Sequence, residues 1–263
     1  LTVQSGSPGP LPSFPTDGDM LDFLVETGEI SAADGLLATW YHRANNKSEM
    51  NKALASDVMI LEADVNMDRP QTPNQKPVPI MAHPPAVQSD NTLDQWLDAV
   101  LQSRKGIKLD FKSLASVGPS LELLSEKNRS RGIDRPVWLN ADILTGPNVP
   151  DFIPPAPYFA LLEVGRHPDF GLGLVYSVRD IGSLIQSVCG LCETDCFCCD
   201  CLCRFSLTLW QGSIHPNVSD LLFVRDNSHP ARVYYDIYEP TLSAFKQAAS
   251  KRANGQMGKK PSL

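Results

Sequence analysis

The sequence predicts an α/β fold with a mostly parallel sheet, and more narrowly a (β/α)8 TIM barrel. Apolar runs of strand length recur along the chain and alternate with stretches of helical periodicity. About eight such units in roughly 220 residues match the usual size of that barrel. The glycine-rich phosphate turns common in its open, doubly wound rival, GxGxxG and GxxxxGKS/T, are absent.

Residues 1–18 are rich in Pro, Gly and Ser, the composition of a disordered arm. The first strand run is GLLATWYH (35–42), and Met50, Ala53 and Leu54 then fall on one face of a predicted helix. VMILEADV (58–65) and PVPIMAH (77–83) follow as strands. In NTLDQWLDAVLQS, Leu93, Trp96, Leu97, Val100 and Leu101 recur at helical spacing, with Asn91 as the expected N-cap. GIKLDFK (106–112) is the next strand, SLELLSEK belongs to the helix after it, and PVWLNADIL (136–144) is a strand again. FGLGLVYS (170–177) is the weakest strand pattern and makes the sixth unit irregular; RFSLTLW (204–210) and ARVYYDIYE (231–239) complete the set. The barrel domain is therefore expected over 19–249, with a polar tail over 250–263.

The chain has 263 residues and a net charge of −7, which argues against a broad basic face for nucleic acid. No apolar run approaches the roughly 20 residues that span a bilayer. The opening residues lack the basic and apolar regions of a signal peptide. Cytoplasmic placement is the default expectation; an extracellular one is the alternative if the N-terminus is truncated, and only there would the sequons at Asn46, Asn128 and Asn217 matter.

In such a barrel, chemistry sits where strands end at the C-terminal rim. The polar residues at those ends are His42, Glu62 with Asp64, His83, Asp110 with Lys112, Asn140 with Asp142, and Trp210. Each alone has an ordinary reading: a core histidine, a helix cap, a local ion pair of Asp110 with Lys108 or Lys112, a turn residue, a packed tryptophan. Their recurrence at the same end of six strands points instead to a site. Residues i and i+2 of a strand share a side, so Glu62 and Asp64 repel unless a cation joins them. With Asp110 they make an all-oxygen set for a hard divalent ion such as Mg2+, with positions left for phosphate oxygens. His42 and His83 titrate near neutrality, so one can accept a proton while the other donates. Lys112 adds a positive charge for phosphoryl oxygens.

GLLATWYHRANN, ILEADV, PIMAHPP, GIKLDFK and PVWLNADILTGPN together resemble the menorin family, which in turn resembles the glycerophosphodiester phosphodiesterase and sphingomyelinase D barrels. The likeness is close over about 28–155 and looser over 204–247. It implies a barrel of the phospholipase C-like phosphodiesterase type, with His42 and His83 as the catalytic histidines and Lys112 facing phosphate. It further implies Glu62, Asp64 and Asp110 as Mg2+ ligands, and Trp210 with Asn140 on the substrate side. The implied substrate is a small phosphodiester or lipid head group. The family is associated with neuronal and photoreceptor maintenance and dendrite patterning, so the alternative is a non-catalytic barrel that engages a protein partner as an adhesion or patterning cofactor.

All seven cysteines lie in CGLCETDCFCCDCLC (189–203), where such a barrel expects an ordinary apolar element. Thiolates at Cys189-x2-Cys192 and onward could bind zinc, and a disulfide cluster would leave one cysteine over. The favoured reading is an altered exon or gene-model segment, with no zinc.

Overall fold

Alternation along the strands decides which residues meet the helices and which meet each other. The computed structural model describes residues 19–69, 77–142, 172–178, 205–211 and 215–257. Among them are eight strands: β1 (Trp40–Tyr41), β2 (Ile60–Met67), β3 (Pro79–Met81), β4 (Gly106–Phe111), β5 (Val137–Ala141), β6 (Leu172–Val178), β7 (Phe205–Trp210) and β8 (Val233–Asp236). Six α-helices accompany them: α1 (Met20–Glu26), α2 (Lys47–Ala55), α3 (Leu93–Val100), α4 (Leu114–Arg131), α5 (Val218–Asp226) and α6 (Thr241–Met257). The expected arm (1–18) and the cysteine segment (189–203) lie outside the described residues. Helix α6 carries on past residue 249, where the tail was expected to begin.

The sheet runs β1-β2-β4-β5-β6-β7-β8, with every neighbour on that path parallel. The expectation of eight parallel strands is corrected at β3, which pairs antiparallel with β2 through Val65↔Met81, Asn66↔Ile80 and Met67↔Pro79. A parallel return needs a crossover of about a dozen residues or more, usually a helix, and residues 68–78 offer too few. The hairpin also carries β2 two residues beyond its predicted end.

The odd-numbered Leu61, Ala63 and Val65 of β2, with Ile107, Leu109 and Phe111 of β4 and Val137, Leu139 and Ala141 of β5, form one apolar face. It packs on Met50 and Ala53 of α2, Trp96 and Leu97 of α3, and Val117 and Leu124 of α4. A second cluster joins Leu209 and Tyr235 to Leu221, Leu222 and Phe245. On the opposite face, Met20, Leu21 and Leu24 of α1 close one end against Ile60, Trp138 and Tyr234. Beyond that plug the same face is polar yet buried: Glu62, Asp64, Lys108, Asp110, Asn140 and Thr208. Charge on a face without solvent is the signature of a built site.

Curvature makes that face concave. In a flat sheet, six spacings of about 4.8 Å would hold β1 and β8 about 29 Å apart. Here Gly35 N–H donates to the Pro230 carbonyl at 3.0 Å, and His42 Nδ1 reaches Asp236 Oδ2 at 2.5 Å. A Cβ on Gly35 would collide with the Val233 carbonyl, so the two edges approach as closely as backbone allows. No hydrogen-bonded ladder joins β8 to β1 among the described residues. The sheet is curled, with its edges stitched by single contacts.

Local capping corrects one further expectation. Thr92, not Asn91, caps α3, in a capping box with Gln95. Asn91 is fully buried and donates Nδ2–H to the Asn45 carbonyl at 3.1 Å. Asn46 and Asn217, the first and last sequon asparagines, cap α2 and α5. No described helix is long and apolar enough to cross a membrane.

Candidate functional site

Register brings the predicted carboxylates together. Asp64 lies opposite Asp110, and Asp110 opposite Asn140, across adjacent parallel strands. Glu62 sits two residues before Asp64 on the same side, opposite Lys108. Oxygens of Glu62, Asp64 and Asp110 all lie within 4.8 Å of one another, and the three residues are buried. They line a cavity of about 310 Å³ together with His42, His83, Lys112 and Trp210.

The turn after β1 supports this cluster. Arg43 takes the left-handed conformation at φ 63°, uncommon for a residue with a side chain, and its backbone N–H donates to Glu62 Oε2 at 2.6 Å. Asn45 donates Nδ2–H to Asp64 Oδ2 at 2.7 Å and accepts from the Asp64 backbone N–H at 2.8 Å. Asn140, expected on the substrate side, is fully buried and donates to Asp110 Oδ1 at 2.7 Å. Its place is support for that carboxylate. The Lys112 ammonium lies 2.6 Å from Asp110, 3.3 Å from Asp142 and 3.4 Å from Asp64.

The charges press on one another. Burial, then the Asp64 charge, pushes Glu62 up to about 7 against the opposing pull of Lys108 and His42. Burial would raise Asp110 as well, but Lys112 and Lys108 hold it below its ordinary value. Burial would lower the Lys112 pKa, yet Asp110, Asp142 and Asp64 hold it well above. Three carboxylates sharing so little space, one of them driven toward protonation, form a site short of positive charge.

The two histidines differ. His42 Nδ1 meets Asp236 Oδ2 at 2.5 Å, and its ring centroid is 6.5 Å from that of Trp210. Burial alone would depress the His42 pKa; the Asp236 hydrogen bond and the Glu62 and Asp236 charges outweigh it and hold the pKa above its usual value. His83 is exposed at the cavity's edge, where Nδ1–H donates to the Pro84 carbonyl at 2.7 Å. Its Nε2 is thereby the nitrogen left for a ligand.

Comparison with known proteins places the chain in a family. A family model described as the menorin N-terminal domain matches residues 34–169. Human protein FAM151B is 38% identical over 284 aligned positions, covering 97% of this chain and all of the relative. The chain belongs to the menorin family. No solved structure matches it.

In this menorin-family chain the donor set fits a hard divalent ion: three buried carboxylates, oxygen only, each oriented by a neighbour's N–H. Sequence reasoning named the three carboxylates that converge but not what surrounds them. It passed over Asp236, which ends β8 in the pattern of a carboxylate after an apolar run. It read Lys108 only as a partner for Asp110; Lys108 lies 3% exposed in the cavity wall, its ammonium 5.3 Å above the Trp40 ring. Arg43 and Asn45 carried no signal beyond their place after the first strand.

Proposed function

We propose that this cavity is the active site of a divalent-metal-dependent, phosphodiesterase-like enzyme, and that the curled sheet is a (β/α)8-type barrel with β3 folded back as a hairpin. One observation carries the reading: three buried carboxylates, a half-buried histidine and a lysine converge on the same cavity. Glu62, Asp64 and Asp110 would hold Mg2+, which when bound neutralises phosphoryl oxygens. Lys112 holds a further positive charge beside them. His42 Nε2 accepts the proton of an attacking hydroxyl, either a neighbouring hydroxyl of the substrate or water. That oxygen bonds to phosphorus as the bond from phosphorus to the leaving oxygen breaks, and protonated His83 supplies the leaving oxygen's proton from Nε2. Trp210 gives the head group an aromatic face, suited to a quaternary ammonium. The substrate class is a glycerophosphodiester or a lipid head-group phosphodiester. A role in neuronal or photoreceptor maintenance belongs to the same proposal and rests on the family alone.

The test is a phosphodiester panel with and without Mg2+ on wild type, His42→Ala and His83→Ala. Metal-dependent cleavage with a bell-shaped pH profile is expected, and each alanine variant should lose about 10²–10⁴-fold in rate. Turnover equal in all three proteins would refute the assignment and favour a binding module for a protein partner.

A further inference from the structure

Asp236 is the last residue of β8, and His42 follows the last residue of β1, on opposite edges of the sheet and 194 residues apart. Curvature of the sheet presses them together at 2.5 Å, with side chains only 12% and 28% exposed. The pair is held from several sides. The Gln211 backbone N–H donates to the Asp236 carbonyl at 2.9 Å, tying the ends of β7 and β8. The ring of Trp210, which lies opposite Asp236 in register, stands beside that of His42.

We propose that Asp236 is the positioning residue of His42: its carboxylate fixes the proton on Nδ1 and turns Nε2, with its lone pair, to the cavity. A carboxylate only accepts hydrogen bonds, so the nitrogen it meets carries hydrogen and the other carries the lone pair in the neutral ring. The same anion stabilises the imidazolium that forms when Nε2 takes a proton. His83 has a neutral carbonyl, not a carboxylate, behind its ring. The charged groups facing His42 are Glu62 from β2, Lys108 from β4 and Asp236 from β8, with Arg43 next in the chain. Asp236 is the one in direct contact through a hydrogen bond. A plain ion pair stitching β1 to β8 would need the charges alone; positioning needs the tautomer.

The role rests on the proposed reaction, but its test reads the protein without substrate. Long-range 1H–15N spectra of the histidine rings, with the His42 signals assigned by loss in His42→Ala, should show hydrogen on Nδ1 and a free Nε2 in wild type. In Asp236→Ala the proton should redistribute to Nε2 and the ring should titrate at lower pH. Asp236→Asn keeps an accepting oxygen while removing the charge, so it should retain the Nδ1–H tautomer yet also titrate lower. If a phosphodiester is cleaved, Asp236→Ala should lose about 10²–10⁴-fold in kcat, approaching His42→Ala, with KM little changed. In Asp236→Asn the acid limb of the pH profile should move to lower pH. An unchanged His42 tautomer and titration midpoint in folded Asp236→Ala would overturn the proposal. Ring spectra as expected with no phosphodiester cleaved would uphold the positioning and count against the reaction instead.

Discussion

Replacing Glu62 by Gln should stabilise the metal-free protein while removing its response to Mg2+. Burial and the Asp64 charge raise Glu62 from an ordinary 4.5 to about 7, so the folded state binds this proton more tightly than the unfolded chain does. The stability this provides is complete below about 4.5 and is lost as pH rises through about 7. At about 1.4 kcal/mol per pH unit, an ionised Glu62 costs the metal-free fold on the order of 3 kcal/mol at pH 8. Gln keeps an oxygen to accept from the Arg43 N–H and removes the charge. Melting in a chelator at pH 8 should therefore rise by roughly 6–12 °C, and the gain should shrink steadily as pH falls and vanish below about 4.5. Asp142, also raised by burial and the Asp110 charge, and His42, raised in spite of burial, shift wild-type stability in the same direction. The difference between wild type and variant is the quantity that isolates Glu62. Added Mg2+ should stabilise wild type through preferential binding to the folded state and leave the variant nearly unmoved. A variant no more stable than wild type at pH 8 without metal, or one with the full Mg2+ response, would refute the reasoning.

Asp110→Asn should likewise lose most of the Mg2+-induced rise in Tm, because it removes the charge of one of the three carboxylates that converge; an undiminished rise would exclude Asp110 as a ligand. Gly35→Ala should force β8 away from the segment leading into β1, since its new Cβ meets the Val233 carbonyl. It should be destabilised and release the His42–Asp236 contact, visible as a changed His42 ring spectrum. Trp96→Ala should cost about 3–5 kcal/mol in denaturant unfolding, because the ring is wholly buried and its Nε1–H donates to the Ala44 carbonyl at 2.9 Å. Its loss should also loosen the turn that presents Arg43 and Asn45 to the carboxylates.

What could be read along the chain was whatever a single strand or helix dictates. Period-two alternation placed Glu62 and Asp64 on one side of β2, and strand ends located Asp110, His42, His83 and Trp210. Periodicity also found the buried face of α3, though its cap was misplaced by one residue because Thr92 and Gln95 complete a box that Asn91 does not. Pattern could not give strand direction: PVPIMAH reads the same in a parallel or an antiparallel pair, and the short link from β2 decided for the hairpin. Nor could it distinguish a polar residue that faces the cavity from one that serves a neighbour. Asn140 became a support for Asp110 only through the register of β4 and β5.

The sequence by itself determined the α/β class, the polar inner face and the identity of the three carboxylates on it, because those depend on spacing within one element. The tertiary structure alone decided that β8 lies beside β1, that Asp236 therefore backs His42, and that Lys108 stands opposite Glu62. Those contacts come from the curvature and register of the whole sheet, a sum over every strand pair, and no local stretch of residues encodes it.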